Sequence, residues 1–382
     1  MKTVGIICEY NPFHNGHAKQ LAAINGVKVC LMSGNYVQRG EPALLDKYTR
    51  AKAAVLCGAD LVLELPLTYA ISSAEGFARG GVEVLTRLGC IDGLCFGSES
   101  GEIENIMSTA GLLLTEPFHA ALRSELASGV SFPRARQNAV ETLGGNGSVL
   151  ESPNDILAVE YCKALLTLQS PIKPMTLRRE GSYHESLQAE NPSASVLRTM
   201  EDWRGFVPEK ALEVFEAAPR YTLRAGERAW LARLRAMPES EFEALPYGSE
   251  GLWRKVMHAC RRETTLEAMI EAAKSKRYTH SRLKRMLLCA FLGISEEMLK
   301  RSAPYVRVLA LNANGAAVVR RARKCGSIPV INAGEKAPEP QYAELERRAA
   351  ALYGLFLEGE LTAADARAQE QVFVLRTGDA CI

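Results

Sequence analysis

The sequence is short of the features that would place it outside the ordinary run of water-soluble proteins. Its ten cysteines include no CxxC pair. Most sit inside apolar runs, which argues for buried free thiols in a reducing compartment and against a disulfide framework or a zinc site. Charge of one sign is not in excess: 46 Lys and Arg face 44 Asp and Glu, for a formal net charge of +2. A surface for nucleic acid would therefore have to come from local clustering. No apolar stretch approaches the roughly 18 residues needed to span a bilayer. The first apolar run begins within three residues of Met1, so no secretory leader is expected and the chain reads as cytoplasmic. Internal repeats and low-complexity tracts are missing as well.

What is present is a chain of 382 residues, 47% hydrophobic and 24% charged, long enough for two domains with real cores. In the first hundred residues, Val4–Cys8, Val27–Met32, Asp60–Leu65 and Ile91–Phe96 are short apolar runs without a polar face, as buried parallel strands are. Between them, His17–Ile24, Asp46–Leu56 and Ala74–Leu88 carry helical spacing. The alternation predicts an α/β fold, a doubly wound and mostly parallel sheet whose ligand lies beyond the carboxyl ends of its strands. A helix is expected from Ser152-Pro153-Asn154-Asp155 onward, with Ser152 as its N-cap, followed by a strand over Pro174–Arg179. Beyond about 200 the extended runs stop, apart from Ile328–Ile331 and a possible edge strand at 371–376. Helical patterns over 208–217, 227–236, 250–274, 279–292, 295–302, 314–324 and 340–357 predict a mainly helical second domain. The expected division is 1–200 and 201–382.

Four constellations carry chemistry. Asn11-Pro12-Phe13-His14-Asn15-Gly16-His17 follows the first strand and opens a helix. Backbone N–H groups and the helix dipole at such a point favour phosphate, and Gly16 lets the backbone approach it. His14 and His17, one turn apart, would stabilise charge on phosphoryl oxygens during an in-line displacement. The plain alternative is a strand–turn–helix with incidental surface histidines. Ser193-Ala194-Ser195-Val196-Leu197-Arg198 offers hydroxyls and an arginine at another helix start, where Ser195 and Arg198 are the candidates. A simple capping serine explains Ser193 equally well. The loop Ser33–Ala43 and the helix start after it supply Gln38, Arg39, Lys47 and Arg50, donors suited to a carboxylate or phosphate. Finally, Gly97 and Gly101 bracket a strand end where a base or ribose could lie. Asn154 has donors near that end, and Arg178 and Arg179 precede Gly181-Ser182-Tyr183-His184.

In the second half, Lys274–Arg285 packs seven cationic or histidine side chains into twelve positions around Tyr278, and Arg320–Lys324 forms another basic cluster. Such clusters in a nearly neutral chain suggest RNA phosphate contacts, with Lys276, Arg277, Arg282, Lys284 and Arg285 as candidates. Solvated helix faces are the competing explanation. Trp203, Trp230 and Trp253 read as core residues.

Taken together, GIICEYNPFHNGH, MSGNYVQRGEPALLDKYTRAKAA, GADLVLELP, FGSES, SPNDILAVEY, SASVLR, KRYTHSRLKR and YVRVLALN resemble the tRNA(Met) cytidine acetate ligase family of the HxGH nucleotidyltransferase superfamily. The resemblance implies that ATP and acetate form acetyl-adenylate, whose acetyl group passes to the wobble cytidine of elongator tRNA(Met) as N4-acetylcytidine. It implies an ATP site over Ile7, Cys8, Glu9, Tyr10, Asn11, Pro12, Phe13, His14, Asn15, Gly16, His17 and Gln20, with Gly101, Asn154, and Arg178 or Arg179. Mg2+ would bridge the phosphates, although no Asp pair in the sequence marks a protein-held metal site. The competing function is an adenylyltransferase acting on another small metabolite.

Overall fold

The computed structural model describes residues 1–179, 192–275, 278–360 and 372–376. Five expected strands, including the one foreseen over Pro174–Arg179, form its centre. β1 (Thr3–Cys8), β2 (Val27–Ser33), β5 (Leu61–Leu65), β6 (Gly93–Ser98) and β7 (Lys173–Arg178) run parallel, in the order β5-β2-β1-β6-β7. Between β2 and β5 a small antiparallel hairpin is built from β3 (Tyr36–Val37) and β4 (Glu41–Pro42). β1 is flanked by β2 on one side and β6 on the other, so the order reverses beside it. The open crevice of a doubly wound sheet lies at such a switch.

The expectation that extended runs end near 200 is corrected by β8 (Val306–Leu311), which pairs antiparallel with β5. β9 (Val330–Ile331) and β10 (Phe373–Val374) then join β8 in parallel. The sequence Val-Arg-Val-Leu-Ala-Leu is apolar except for Arg307, which pairs with Glu346 at 3.1 Å, and five of its six residues are buried. It is the composition of a covered strand. Residues beyond 200 also cover the sheet: Trp203, Val207, Ala211 and Phe215 join Leu197 in packing with Ile6, Phe13, Leu21 and Met32 on one face. Three helices over Ile103–Leu112, Glu116–Ala127 and Phe132–Thr142 fill a stretch in which the sequence declared no element.

A separate core gathers the later helices around Trp230, Phe291 and Phe356, with the Trp230 and Phe291 rings stacked 5.0 Å apart. The expected helix over 250–274 is two helices, Leu252–Arg262 and Leu266–Ala273, and the Thr265 hydroxyl caps the second. Tyr36 of the hairpin reaches into this core, donating to the Ala349 carbonyl at 3.1 Å. At the hairpin tip Gly40 has φ +80°, and a Cβ there would lie 2.6 Å from the Lys284 carbonyl carbon. Only glycine permits both the backbone conformation and the approach.

Candidate active site

The turn after β1 is held from several sides. Asn11 accepts from the Leu44 N–H at 2.9 Å through its side chain, and its carbonyl accepts from Arg198 Nη1 at 2.9 Å. Asn15 Nδ2 donates to the Gly205 carbonyl and its N–H to Phe206. These contacts aim the helix Asn15–Ala23 at the end of the sheet. Its N-cap is His14: Nδ1 accepts from the Gly16 N–H at 3.0 Å, while His17 Nδ1 accepts from the His14 N–H at 3.3 Å. Two imidazoles thus complete a reciprocal cap usually made by a hydroxyl and a carboxylate.

The hydrogen bonds decide the protonation state. A ring whose Nδ1 accepts must, when neutral, carry its proton on Nε2. Burial lowers the His14 pKa to about 4, with the charge of Arg179 adding to the effect. Burial, His14 and Arg179 hold His17 well below its ordinary value. Both rings are therefore neutral Nε2–H donors at pH 7, stacked with centroids 3.8 Å apart. Tyr10 and Phe13 pack against His17 and fix its plane.

In front of the rings lies a cavity of about 250 Å³, lined by His14, Gly16, His17, Lys19, Gln20, Gly97, Leu177, Arg178 and Arg179 among others. It sits where β1 and β6 part. The lining sets Lys19, Arg178, Arg179 and the two imidazoles beside apolar Ala23, Leu177 and Pro192 and has no carboxylate, which suits a polyphosphate carrying a base. A Cβ at Gly97 would meet the Arg179 side chain at 3.2 Å, so glycine keeps that wall flat. Lys19 was not singled out by the sequence reading. Its place one residue before Gln20 on the outer face of a helix beginning at Asn15 was the available signal.

Beside the cavity, Gly101 has φ +70° and its N–H donates to Ser98 Oγ at 2.7 Å. Asn154 and its neighbour are tied to this loop through Glu99, which the sequence reading passed over. Glu99 accepts from Asn154 Nδ2 at 2.6 Å and from the Asp155 N–H at 2.9 Å. Asp155 in return accepts from the Ser100 N–H at 3.1 Å. Ser152 occupies the N-cap position but makes no side-chain cap bond, so Glu99 does the work expected of it. A carboxylate on Gly97–Gly101 is attracted to a helix start by its exposed N–H groups and dipole.

Several expected donors are committed elsewhere. Arg50 is fully buried and donates to the carbonyls of Leu45, Glu9, Ser33 and Gly34. It binds the ends of β1 and β2 to the helix Lys47–Leu56 and is not available to a substrate. Lys47 is paired with Glu64 at 2.8 Å; burial opposes its charge and Glu64 restores it, leaving its pKa raised. Both corrections have one cause: a buried cation must be satisfied locally. Gln38 donates its N–H to Glu9 Oε1 at 2.7 Å, and Arg39 is exposed at the hairpin tip. Burial raises the Glu9 pKa, against the Gln38 N–H and the charges of Arg198, Arg39 and Arg50. Ser195 shares a hydrogen bond with Ser193 at 2.8 Å. Arg198 lies on the Asn11 side of the turn, its charge facing Glu41 and Glu9.

The basic run of the second half is also rearranged by folding. Lys276 and Arg277 lie outside the described residues, as do Gly181, Ser182, Tyr183 and His184. Arg282 donates to the Tyr247 carbonyl and to Ser249, Lys284 is paired with Glu41, and Arg285 is buried over the Tyr247 ring. Lys284 and Arg285 are thus part of the seam between the hairpin and the helix His280–Leu292, not open phosphate ligands. Arg282 is half-buried and turned toward backbone acceptors. Among the described residues no group of three or more His, Cys, Asp or Glu is placed to hold a metal ion.

With this geometry in view, comparison with known proteins is direct. The HIGH Nucleotidyl Transferase family model matches residues 1–369. The tRNA(Met) cytidine acetate ligase of Clostridium acetobutylicum is 37% identical over 361 residues, covering 87% of this chain and 90% of that protein. The enzyme of the same name from Clostridium perfringens is 36% identical over 383 residues, with 92% and 95% covered. This chain belongs to the tRNA(Met) cytidine acetate ligase family. Thermotoga maritima TmcAL, crystallised with alpha-thio ATP, superposes with a TM-score of 0.88 at 30% identity over 99% of this chain and 100% of that one. Its apo form gives 0.90 at 29% identity, with the same coverage. The α/β fold expected from strand–helix alternation, in the nucleotidyltransferase-like form that the resemblance implied, is therefore that of the family. Among the described residues no helix is long and apolar enough to cross a membrane.

Proposed function

We propose that the chain is an ATP-dependent ligase of the cytoplasm that acetylates the wobble cytidine of elongator tRNA(Met). The observation that carries this reading is the pair of neutral Nε2–H donors facing a cavity walled by Arg178 and Arg179. ATP binds with its triphosphate over the N-terminus of the helix Asn15–Ala23, where backbone N–H groups and the dipole favour it. An acetate oxygen attacks the α-phosphorus, the bond to the bridging oxygen breaks, and pyrophosphate leaves with the pair of electrons. His14 and His17 donate to the phosphoryl oxygens on which charge grows, preorganised by the cap and needing no proton change. Arg179, whose charge reaches both rings, holds the departing phosphates, and Arg178 lies beside Gly101 at the nucleoside end. Ser195 and Arg198 steady the turn that carries the histidines. Asn154, oriented by Glu99, faces the nucleoside.

In the second half-reaction the N4 amine of the unstacked cytidine attacks the acetyl carbonyl and AMP departs. The cavity lining is a poor donor set for Mg2+, which prefers carboxylate and water oxygens. A magnesium ion here belongs to the nucleotide, and no step is assigned to it. The test is ATP–pyrophosphate exchange measured with acetate, with propionate and with no carboxylate. Exchange should require acetate, and His17→Ala should abolish it. Exchange indifferent to acetate would overturn the assignment.

A further inference from the structure

Folding gives the described cations of the basic run at 274–285 local partners, and it leaves a less conspicuous set facing outward. The helix Leu252–Arg262 reads LWRKVMHACRR and contains no acidic residue. Leu252, Trp253, Val256, Met257, Ala259 and Cys260 are buried in the helical core. Everything else on it is exposed, namely Arg254, Lys255, His258, Arg261 and Arg262. The spacing i, i+1, i+4, i+7, i+8 puts all five on one face, about 12 Å long from first to last.

The state of these cations differs from that of the others. Among the described residues Arg254, Lys255 and Arg261 have no carboxylate within 4.0 Å, and Arg262 meets only its neighbour Glu263 at 3.4 Å with 81% of its side chain exposed. By contrast Lys274 and His280 share Glu271, Lys284 takes Glu41, and Arg323 takes Glu335. Two of the cations are braced by rings: Arg254 lies over Trp253 at 4.9 Å and Lys255 over Tyr278 at 5.8 Å. Bracing lowers the entropy cost of holding such side chains in place for a ligand. Tyr278 also carries Arg282 at 5.2 Å. Arg282 lies in the first turn of the helix His280–Leu292, whose Lys284 meets the hairpin, and Gln38 of that hairpin donates to Glu9 before the active turn. A continuous set of contacts thus joins this face to the catalytic end of the sheet.

We infer that the outer face of the helix Leu252–Arg262 is the docking surface for the phosphate backbone of the RNA substrate. A row of exposed cations, three with no carboxylate within 4.0 Å among the described residues and two of them braced by rings, fits a polyanion of regular charge spacing, whose binding is driven by counterion release. The inference rests on the acetate ligase reading and adds the surface by which the macromolecular substrate is held.

The experiment uses the full-length chain with the combined replacements Arg254→Gln, Lys255→Gln, Arg261→Gln and Arg262→Gln. Binding of an unmodified elongator tRNA(Met) transcript is measured across a salt series. Loss of four phosphate contacts should make the slope of log affinity against log salt shallower by about 3, with affinity at low salt down at least about tenfold. Acetate-dependent pyrophosphate exchange should stay within about twofold of the unaltered protein, since none of the four lines the cavity. The pair Arg79→Gln and Arg123→Gln, exposed on the helices Ala74–Arg87 and Glu116–Ala127, should leave the slope unchanged. An unchanged slope in the fourfold variant overturns the inference, as does an equal fall in the control pair. Loss of binding to phosphatidylserine vesicles with tRNA binding intact also overturns it, in favour of a membrane surface. If the unaltered protein shows no acetate-dependent exchange, it is the underlying reading that fails.

Discussion

Arg50 and Arg179 both serve the histidine-bearing turn and do opposite things. Arg50 is fully buried, and its guanidinium meets four backbone carbonyls, three at the ends of β1 and β2 and that of Leu45 before the helix Lys47–Leu56. Arg179 is exposed at the end of β7, lines the cavity, and makes itself felt at both imidazoles through its charge. One arginine builds the floor of the site and the other faces the ligand. An arginine near an active site is read by what already satisfies its five donors, because carbonyls that desolvate with it leave nothing over for a substrate.

That contrast can be pushed hardest at Arg50. Arg50→Met fills similar volume but strands four carbonyls, and should cost roughly 3–5 kcal/mol. Chemical denaturation with and without the change measures it. If stability hardly moves while exchange collapses, the division between floor and wall is wrong. His14→Asn comes next. Asn is a good N-cap acceptor, so the helix start survives while the Nε2–H donor is lost. Exchange should fall by at least about a hundredfold. This variant also has a pH signature. With a folded pKa of about 4 against 6.5 unfolded, His14 leaves stability complete above pH 6.5 and erodes it as pH falls toward 4. The full erosion is roughly 3 kcal/mol, and in His14→Asn that part of the acid sensitivity should vanish from a series of melts at falling pH.

Arg179→Gln should lower exchange by about a hundredfold with no loss of melting temperature, since the side chain is exposed and braces no buried carbonyl. A matching drop in melting temperature would make Arg179 a structural residue like Arg50. The smallest effect is expected of Lys284→Gln. Its pair with Glu41 is partly exposed, so about 0.5–1 kcal/mol of stability is at stake. tRNA affinity should not change, and a clear fall would return Lys284 to the RNA surface.

The parallel sheet was readable because its central strands are covered on both faces and therefore written as unbroken apolar runs. Val27–Met32 and Asp60–Leu65 fall within a residue or so of the observed strands. The run Val306–Leu311 carries the same signature, yet its place beside β5 depends on a partner some 240 positions away, which no local pattern records. The strand–turn–helix setting of the HNGH turn was legible, with its histidines at the helix start. What could not be read was the internal commitment of the cations. Lys47, Arg50, Lys284 and Arg285 look in one dimension like Arg178, Arg179 and Arg254, and only burial and the approach of carbonyls or carboxylates separate them. Glu99 was overlooked for the complementary reason, since the helix it caps begins more than fifty residues later.

The imidazole cap ties two fates together. The atoms that finish the helix Asn15–Ala23 are the same rings that face the cavity, so a chain whose helix start has frayed has also lost its donors. In the unaltered sequence the two losses come together at this point. Amide exchange at the Gly16 N–H would therefore serve as a gauge of how much of a preparation is competent, read without any substrate present.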